Sequence, residues 1–310
     1  MTEMDKNVKI IVSGLDYAGK TSILTALEKK YDFQKAVMEL KPTIKIEYHS
    51  TSFLSNLCYF WDMGGQEKYR NVYQKRQEIY FDDSDLLLYV IDAQDESRYR
   101  ESLEYLDSIL QFFISTNQDI PVIIALHKYD PDIRDNEKIN NDLSDLRDLI
   151  LDSYPTFKIL FQQTSIYDII SIVQLISYGL SIFDEKFFEL SELLEEYLSK
   201  FDCVSLILFD KNGIIISEFY GEKITPSIYI ELLEGIKDHM FLLKRMQEEQ
   251  TEATLSSMDI HLLSYLHKFQ IKNETLFLSV LIEQELKDKL MELFADFMEE
   301  VTLILDSIIN

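Results

Sequence analysis

The sequence has little of what cross-linked, flexible or nucleic-acid-gripping chains rely on. Its 310 residues hold 2 cysteines, 5 prolines and 8 glycines, and only 30 Lys+Arg against 55 Asp+Glu. Cys58 and Cys203 lie far apart inside apolar runs, which excludes a disulfide framework and a clustered zinc site. Both read as buried thiols in a reducing cytosol. So few glycines and prolines leave no room for long linkers or low-complexity tracts. The net charge of −25 excludes a basic field for gripping nucleic acid and argues against direct adhesion to anionic lipid. The longest uncharged run, Ile169 to Phe183, is too short to span a bilayer. Its polar positions Ser171, Gln174, Ser177 and Ser181 recur at helical spacing, which predicts an amphipathic helix. The first residues form no apolar signal region, and Thr2 stands where myristoylation requires glycine. The expectation is a cytoplasmic protein without a direct membrane anchor, any recruitment to a membrane surface being left to partner proteins.

What is present is ordinary globular material. Hydrophobic residues are 46% and charged residues 27%, and the length suggests two domains. The acidic charge is shared evenly, −12 over residues 1–185 and −13 over 186–310, so averaging hides no basic half. Residues 1–185 alternate short apolar runs with helical stretches. Strands are predicted at Val8–Ser13, Ile44–Tyr48, Asn56–Asp62, Leu86–Asp92, Val122–Leu126 and Phe157–Gln162, with a first helix from Lys20 to about Tyr31. This alternation predicts an α/β domain with a mostly parallel sheet, whose ligand sits beyond the carboxyl ends of the strands.

Residues 186–310 change pattern. A helix over Lys186–Lys200 precedes strands at Val204–Phe209 and Ile214–Tyr220, joined through Asp210-Lys211-Asn212-Gly213, a strong hairpin signal. Thr225-Pro226 starts another helix, strands follow near His261–Phe269 and Thr275–Ile282, and a last helix runs from Gln284 to Ile308. The order α-ββ-α-ββ-α predicts a second domain of the α+β type.

The chemistry is concentrated at the predicted strand ends. Gly14-Leu15-Asp16-Tyr17-Ala18-Gly19-Lys20-Thr21 is G-x-x-x-x-G-K-[ST] between a strand and a helix, followed by Ser22. Glycines let such a loop curl its N–H groups around phosphates, with the helix N-terminus adding its dipole. Lys20 is the candidate for the β- and γ-phosphates, and the Thr21 hydroxyl for Mg²⁺. Asp62-Met63-Gly64-Gly65-Gln66 closes an apolar strand. There Asp62 is placed for Mg²⁺, the Gly65 N–H for the γ-phosphate, and Gln66 for the attacking water. Thr43 is the candidate switch threonine for metal and γ-phosphate. In His127-Lys128-Tyr129-Asp130, the Asp130 carboxylate suits the paired N–H donors of guanine, which adenine lacks. Lys128 would lie along the base, and His127 reads equally as a structural loop histidine. Thr164-Ser165-Ile166 would complete the base pocket, with a backbone N–H near Ile166 for guanine O6. GTP or GDP with Mg²⁺ is therefore the expected cofactor. Arg70, Arg76 and Arg98 read as solvated surface charges.

These residues resemble the Ras-like small GTPases and, more narrowly, the Rag (Gtr) family. Trp61-Asp62-Met63-Gly64-Gly65-Gln66 is similar to a motif shared by Rag and Arf proteins, and His127 stands where most small GTPases have Asn, as in Rag proteins. Thr164-Ser165-Ile166-Tyr167-Asp168 and Phe53-Leu54-Ser55-Asn56-Leu57 also look Rag-like. The P-loop, Gly14-Leu15-Asp16 through Thr21, is instead Arf-like in style. The resemblance implies a GTP/GDP switch with slow GTP hydrolysis and a C-terminal roadblock (longin-like) domain over 186–310 that pairs two chains. It also implies an activating or scaffold partner. A nucleotide-locked assembly scaffold and an Arf-like role in membrane traffic are the alternatives. For pairing, the last helix offers Leu286, Leu290, Leu293, Phe297, Val301, Ile304 and Ile308 in one stripe, widened by Met291, Phe294, Met298 and Leu305. Covering its own sheet is the competing use of that stripe.

Overall fold

The computed structural model describes residues 7–29, 40–53, 56–168, 171–172, 174–175, 178–179, 186–211, 215–221, 253–257 and 261–309. The chain divides into two compact units, one of residues 6–52 and 56–179, the other of residues 180–310 together with 1–5 and 53–55.

The first unit is built on six strands in the order β2-β3-β1-β4-β5-β6. These are β1 (Asn7–Gly14), β2 (Ile46–Phe53), β3 (Asn56–Met63), β4 (Leu86–Asp92), β5 (Val122–His127) and β6 (Ile159–Thr164). Pairing is parallel from β3 through β1, β4 and β5 to β6. The central strands are continuous apolar runs because both faces are covered; β4 is buried from Leu86 to Ile91 and β5 throughout. Around them lie helices α1 (Lys20–Lys29), α2 (Glu67–Gln74), α3 (Gln77–Phe81), α4 (Tyr99–Ser115) and α5 (Glu137–Ser153). The α5 start is fixed locally by Asn136, whose side chain accepts from the N–H groups of Lys138 and Ile139 at 3.1 and 3.2 Å. A core of Ile11, Leu87, Tyr89, Leu106, Ile109, Phe113 and Ile124 joins the sheet to α4. Cys58 and Cys203 are free and buried, and burial pushes both thiols up to about 12.

Register decides where the loops go. Ile11 pairs Trp61 and Val12 pairs Asp62, while Gly14 pairs Val90, Asp92 pairs His127, and His127 pairs Thr164. The carboxyl ends of β1, β3, β4, β5 and β6 therefore stand level, and every predicted motif leaves the sheet on that edge. Two strands are offset from the sequence reading: β2 begins at Ile46 rather than Ile44, and β6 runs over 159–164 rather than 157–162. The predicted helix over 169–183 lies largely outside the described residues. Ser171 and Gln174, placed on its polar side, are helical but buried. Ser171 faces inward because its hydroxyl serves the preceding loop, accepting from the Ser165 N–H and donating to the Asp168 carbonyl.

The second unit is a five-stranded antiparallel sheet in the order β8-β7-β11-β10-β9. Its strands are β7 (Ser205–Asp210), β8 (Ile215–Tyr220), β9 (Ala253–Ser257), β10 (Leu262–Ile271) and β11 (Glu274–Glu283). The edge strand β9 adds to the four predicted; Ala253-Thr254-Leu255-Ser256-Ser257 has a single large apolar side chain to announce it. The turn at Asn212-Gly213 and the helix from Thr225 fall outside the described residues.

Helices α6 (Lys186–Phe201) and α7 (Lys287–Ile308) complete the unit. Tyr197 and Phe201 pack on Phe297 with ring centroids at 4.6 and 5.2 Å. The apolar stripe of α7 is spent mainly inside this unit. Leu290, Phe297, Val301, Leu305 and Ile308 are buried, Leu305 being a stripe residue rather than a flank. Met291 and Leu303 remain exposed. No helix among the described residues is long and apolar enough to cross a membrane.

Candidate functional site

The loop between β1 and α1 is shaped by close backbone approach. Gly14 has φ +140°, and a Cβ there would meet the Val90 carbonyl oxygen at 2.3 Å. Gly19 has φ +96°, and its Cβ would fall 2.3 Å from Cδ2 of His127. Only glycine fits either place. Lys20, the first residue of α1, turns back under the loop and donates to the carbonyls of Gly14 (3.0 Å) and Leu15 (2.6 Å). Burial pulls its ammonium down to about 8, against the opposing pull of Asp62 and Asp16.

Beside Lys20, three oxygens converge from three segments. The Thr21 hydroxyl donates to Oδ2 of Asp62 at 2.5 Å and lies 2.8 Å from the Thr43 hydroxyl, which itself reaches the same Oδ2 at 3.3 Å. Asp62 is fully buried at the end of β3, and its Oδ1 has no hydrogen-bond partner among the described residues. Burial raises its carboxyl above the usual range, with Lys20 and the Thr21 hydroxyl pulling it back. A buried carboxylate and two hydroxyls at these separations suit a hard divalent cation such as Mg²⁺. Just after Asp62, the loop presses on the P-loop: Asp16 N–H donates to the Gly65 carbonyl at 3.1 Å, and a Cβ on Gly65 would lie 2.3 Å from Asp16 N. Gln66 caps α2 through its carbonyl, which accepts from Tyr69 and Arg70. Asp16, Tyr17, Gly19, Lys20, Thr21, Ser22, Thr43, Gly65, Gln66 and Lys128 together line one cavity of about 270 Å³. Ala18, in the same loop, is buried.

His127 joins this region to the far end of the site. Its ring abuts Gly19 and its Nδ1 lies 3.0 Å from the Thr164 hydroxyl. It is 1% exposed, and burial pulls its pKa down to about 3, so it stays neutral. The structural reading of this histidine is the one its position supports. Lys128, with φ +62°, pairs with Oδ2 of Asp92 at 2.6 Å. Both oxygens of Asp130 are held: Oδ1 by the Ser165 hydroxyl at 2.6 Å, Oδ2 by Nε2 of Gln94 at 3.0 Å. Gln94 also donates to the Lys128 carbonyl. Ser165 in turn accepts from the Tyr167 N–H, and the turn through Ile166 closes with Asp168 N–H on the Ser165 carbonyl. Asp130, Ser165 and Ile166 stand outside the cavity wall and are tied to it through Lys128.

Two arginines correct the sequence reading. Arg76 is exposed as expected, but Arg70 is 9% exposed and Arg98 is half-buried. Arg70 Nε donates to the Gly65 carbonyl at 2.9 Å and its Nη2 pairs with Glu101. Glu101 also pairs with Arg98 Nε at 3.2 Å, and Arg98 binds the carbonyl and carboxylate of Asp16 at 3.0 and 2.5 Å. With Asp16 N–H on the Gly65 carbonyl, the bonds form a closed circuit between the P-loop, the 65–70 segment and α4. Arg70, Arg98, Glu101 and Gln94 are the residues that sequence reasoning missed.

Parallel strands delivering a G-K-T loop, a buried Asp-x-Gly-Gly-Gln turn and an Asp-containing base loop to one edge define a P-loop G protein of the small-GTPase class. Residues 9–236 match the Gtr1/RagA G protein conserved region, and the chain belongs to that family. The chain is also 33% identical over 130 residues to ADP-ribosylation factor-like protein 4C of Homo sapiens and of Mus musculus. The match covers 40% of this chain and 62% of those relatives, so the chain spans less than two thirds of their length. Identity to ADP-ribosylation factor-like protein 3 of Chlamydomonas reinhardtii is likewise 33% over 130 residues, 42% of this chain and 67% of that protein. A solved structure of the Arl6 BBS3 small GTPase from Trypanosoma brucei with bound GppNp is similar at 16% identity and a TM-score of 0.46, covering 57% of this chain and 97% of that one.

Proposed function

We propose that the chain is a GTP/GDP switch that holds Mg²⁺, hydrolyses GTP slowly alone, and works as a paired regulator or scaffold. In this reading residues 1–185 are the G domain and residues 186–310 a roadblock-like dimerisation domain. The observation that carries it is that Lys20, Thr21 and Thr43 line the cavity while the Thr21 and Thr43 hydroxyls converge on Asp62 within 3.3 Å. Phosphate binding falls to Gly14, Asp16 to Ser22, and Gly65; guanine recognition to Lys128, Asp130, Ser165 and Ile166, with His127 bracing both groups. Thr21, Thr43 and Asp62 are the residues to hold Mg²⁺, which when bound supplies charge neutralisation at the β- and γ-phosphates. Gln66, at the mouth of the cavity, is placed to orient water.

Slow turnover is supported by the arginine circuit. Arg70 and Arg98 are committed to Gly65, Asp16 and Glu101, leaving γ-phosphate charge to Lys20. A partner supplying a cation would raise the rate by about 10³–10⁵. Exposed Met291 and Leu303 on α7 support pairing through the second domain. The test is single-turnover GTP hydrolysis by the purified chain beside Gln66→Leu. Slow cleavage lost in the variant, with GTP still bound, is the expected result. Tight binding without cleavage in either protein would favour the nucleotide-locked scaffold.

A further inference from the structure

Four buried side-chain polar atoms lack a hydrogen-bond partner among the described residues: His49 Nε2, Asp62 Oδ1, Arg134 Nε and Ser205 Oγ. The residues that carry two of the four belong to one cluster. Glu47, His49 and Asp62 each offer a ligand atom, and these atoms lie within 4.8 Å of one another. Glu47 and His49 are two residues apart on β2, so their side chains share a strand face. Asp62 enters from the end of β3, the neighbouring strand.

The histidine is oriented as a ligand would be. Its Nδ1 lies 2.6 Å from Oε1 of Glu28 on α1. With Nδ1 turned to that carboxylate, Nε2 is the ring nitrogen left to face a ligand. A carboxylate on one ring nitrogen with the other nitrogen free and buried is the arrangement that fixes metal-ligating imidazoles. Asp62 is 0% exposed and its Oδ1 is the second unpartnered acceptor; Oδ2 is already engaged with Thr21 and Thr43. Leaving two such acceptors buried is unfavourable unless something bridges them.

We propose that Glu47, His49 and Asp62 Oδ1 form a second cation site, distinct from the one at Thr21, Thr43 and Asp62 Oδ2. One imidazole and two carboxylates favour a first-row transition ion, Zn²⁺ being the natural probe, with water completing its shell. Asp62 then bridges two positions, one oxygen toward the nucleotide side and one toward β2. A cation there ties β2 to the carboxylate that the Mg²⁺ reading uses, although the site itself stands without that reading.

The test is Zn²⁺ uptake by the full chain, stripped of trace metal and held in millimolar Mg²⁺, measured by equilibrium dialysis beside its nucleotide content. The expected result is one Zn²⁺ per chain. His49→Ala and Glu47→Gln weaken uptake at least tenfold, and Glu28→Gln weakens it by about 10–100-fold through the ring's lost anchor. His261→Ala, exposed on the other unit, leaves uptake unchanged. Glu47→Gln and Glu28→Gln alter exposed side chains, so they decide the matter if His49→Ala fails to fold. No uptake by the wild-type chain, or uptake by the three variants equal to that of the wild type, overturns the proposal. An imidazolium merely paired with carboxylates would give the first of those results. A wild-type chain that takes up Zn²⁺ but no guanine nucleotide would overturn the switch reading and leave this one standing.

Discussion

The two ends of the site are built on opposite principles. At the base end the two charged side chains have protein partners: Lys128 has Asp92, and Asp130 has Ser165 and Gln94. At the phosphate end Lys20 is held below its ordinary pKa by burial, and Asp62 keeps one oxygen unpartnered. A fully bonded network sets a fixed geometry. An under-compensated one gains most from a ligand, because charge arriving there meets groups that the fold alone leaves strained. On the proposed reading the base end is a reader and the phosphate end a sensor, which is the division a nucleotide switch requires.

Breaking the reader has the largest expected effect. Asp130→Asn replaces one acceptor oxygen with a donor facing the guanine N–H groups, and preference for GTP over ATP falls by ~10⁴. Competition binding with the two nucleotides measures it. A ratio unchanged within tenfold would show that Asp130 does not read the base. His127→Asn comes next and acts through pH. Burial holds the histidine near pKa 3 against 6.5 when unfolded. Below pH 6.5 the unfolded chain binds the extra proton, so folded stability declines as pH falls toward 3. At pH 5 that decline amounts to about 2 kcal/mol, and the Asn variant should lack it. Urea midpoints at pH 7 and pH 5 supply the comparison, and parallel losses in both proteins would contradict it.

Gly65→Ala tests where the sensor touches its frame. The added carbon falls 2.3 Å from Asp16 N, so the 62–66 turn and the P-loop must separate. Overpacking of this kind destabilises by about 1–3 kcal/mol. Triphosphate affinity should fall more than diphosphate affinity, since the proposed γ-phosphate contact is the Gly65 N–H. Equal losses for both nucleotides would place that contact elsewhere.

Legibility in the sequence followed the same division. The P-loop, the Asp62–Gln66 turn and His127–Asp130 were readable because each chemistry is local and fixed by a strand end. Alternating runs also announced the parallel sheet, although β6 starts two residues late, since Phe157 is apolar but precedes the paired segment. The arginine circuit was not readable. Arg98 meets Asp16 across 82 residues and Arg70 meets Glu101 across 31, distances at which only the fold decides proximity. Isolated charges in a strongly acidic chain look solvated until packing buries them. Gln94 was invisible for the same reason, and β9 because an edge strand needs few apolar residues.

Glu101→Gln should have the smallest effect and discriminates most finely between the two ends. Burial works against the Glu101 carboxylate, yet Arg70 and Arg98 hold its pKa below the usual range. Because the carboxylate is half-exposed, solvent screens the pairs, and neutralising it should destabilise by about 1 kcal/mol, a drop of roughly 2–4 °C in Tm. The gap should narrow at high salt. The circuit joins Asp16 to Gly65 through Arg70, Glu101 and Arg98 and includes none of Lys128, Asp130 and Ser165, so faster GTP release with unchanged preference for guanine is the expected pattern. A change in base preference would mean that the two ends are coupled through α4, and the division between reader and sensor would fail.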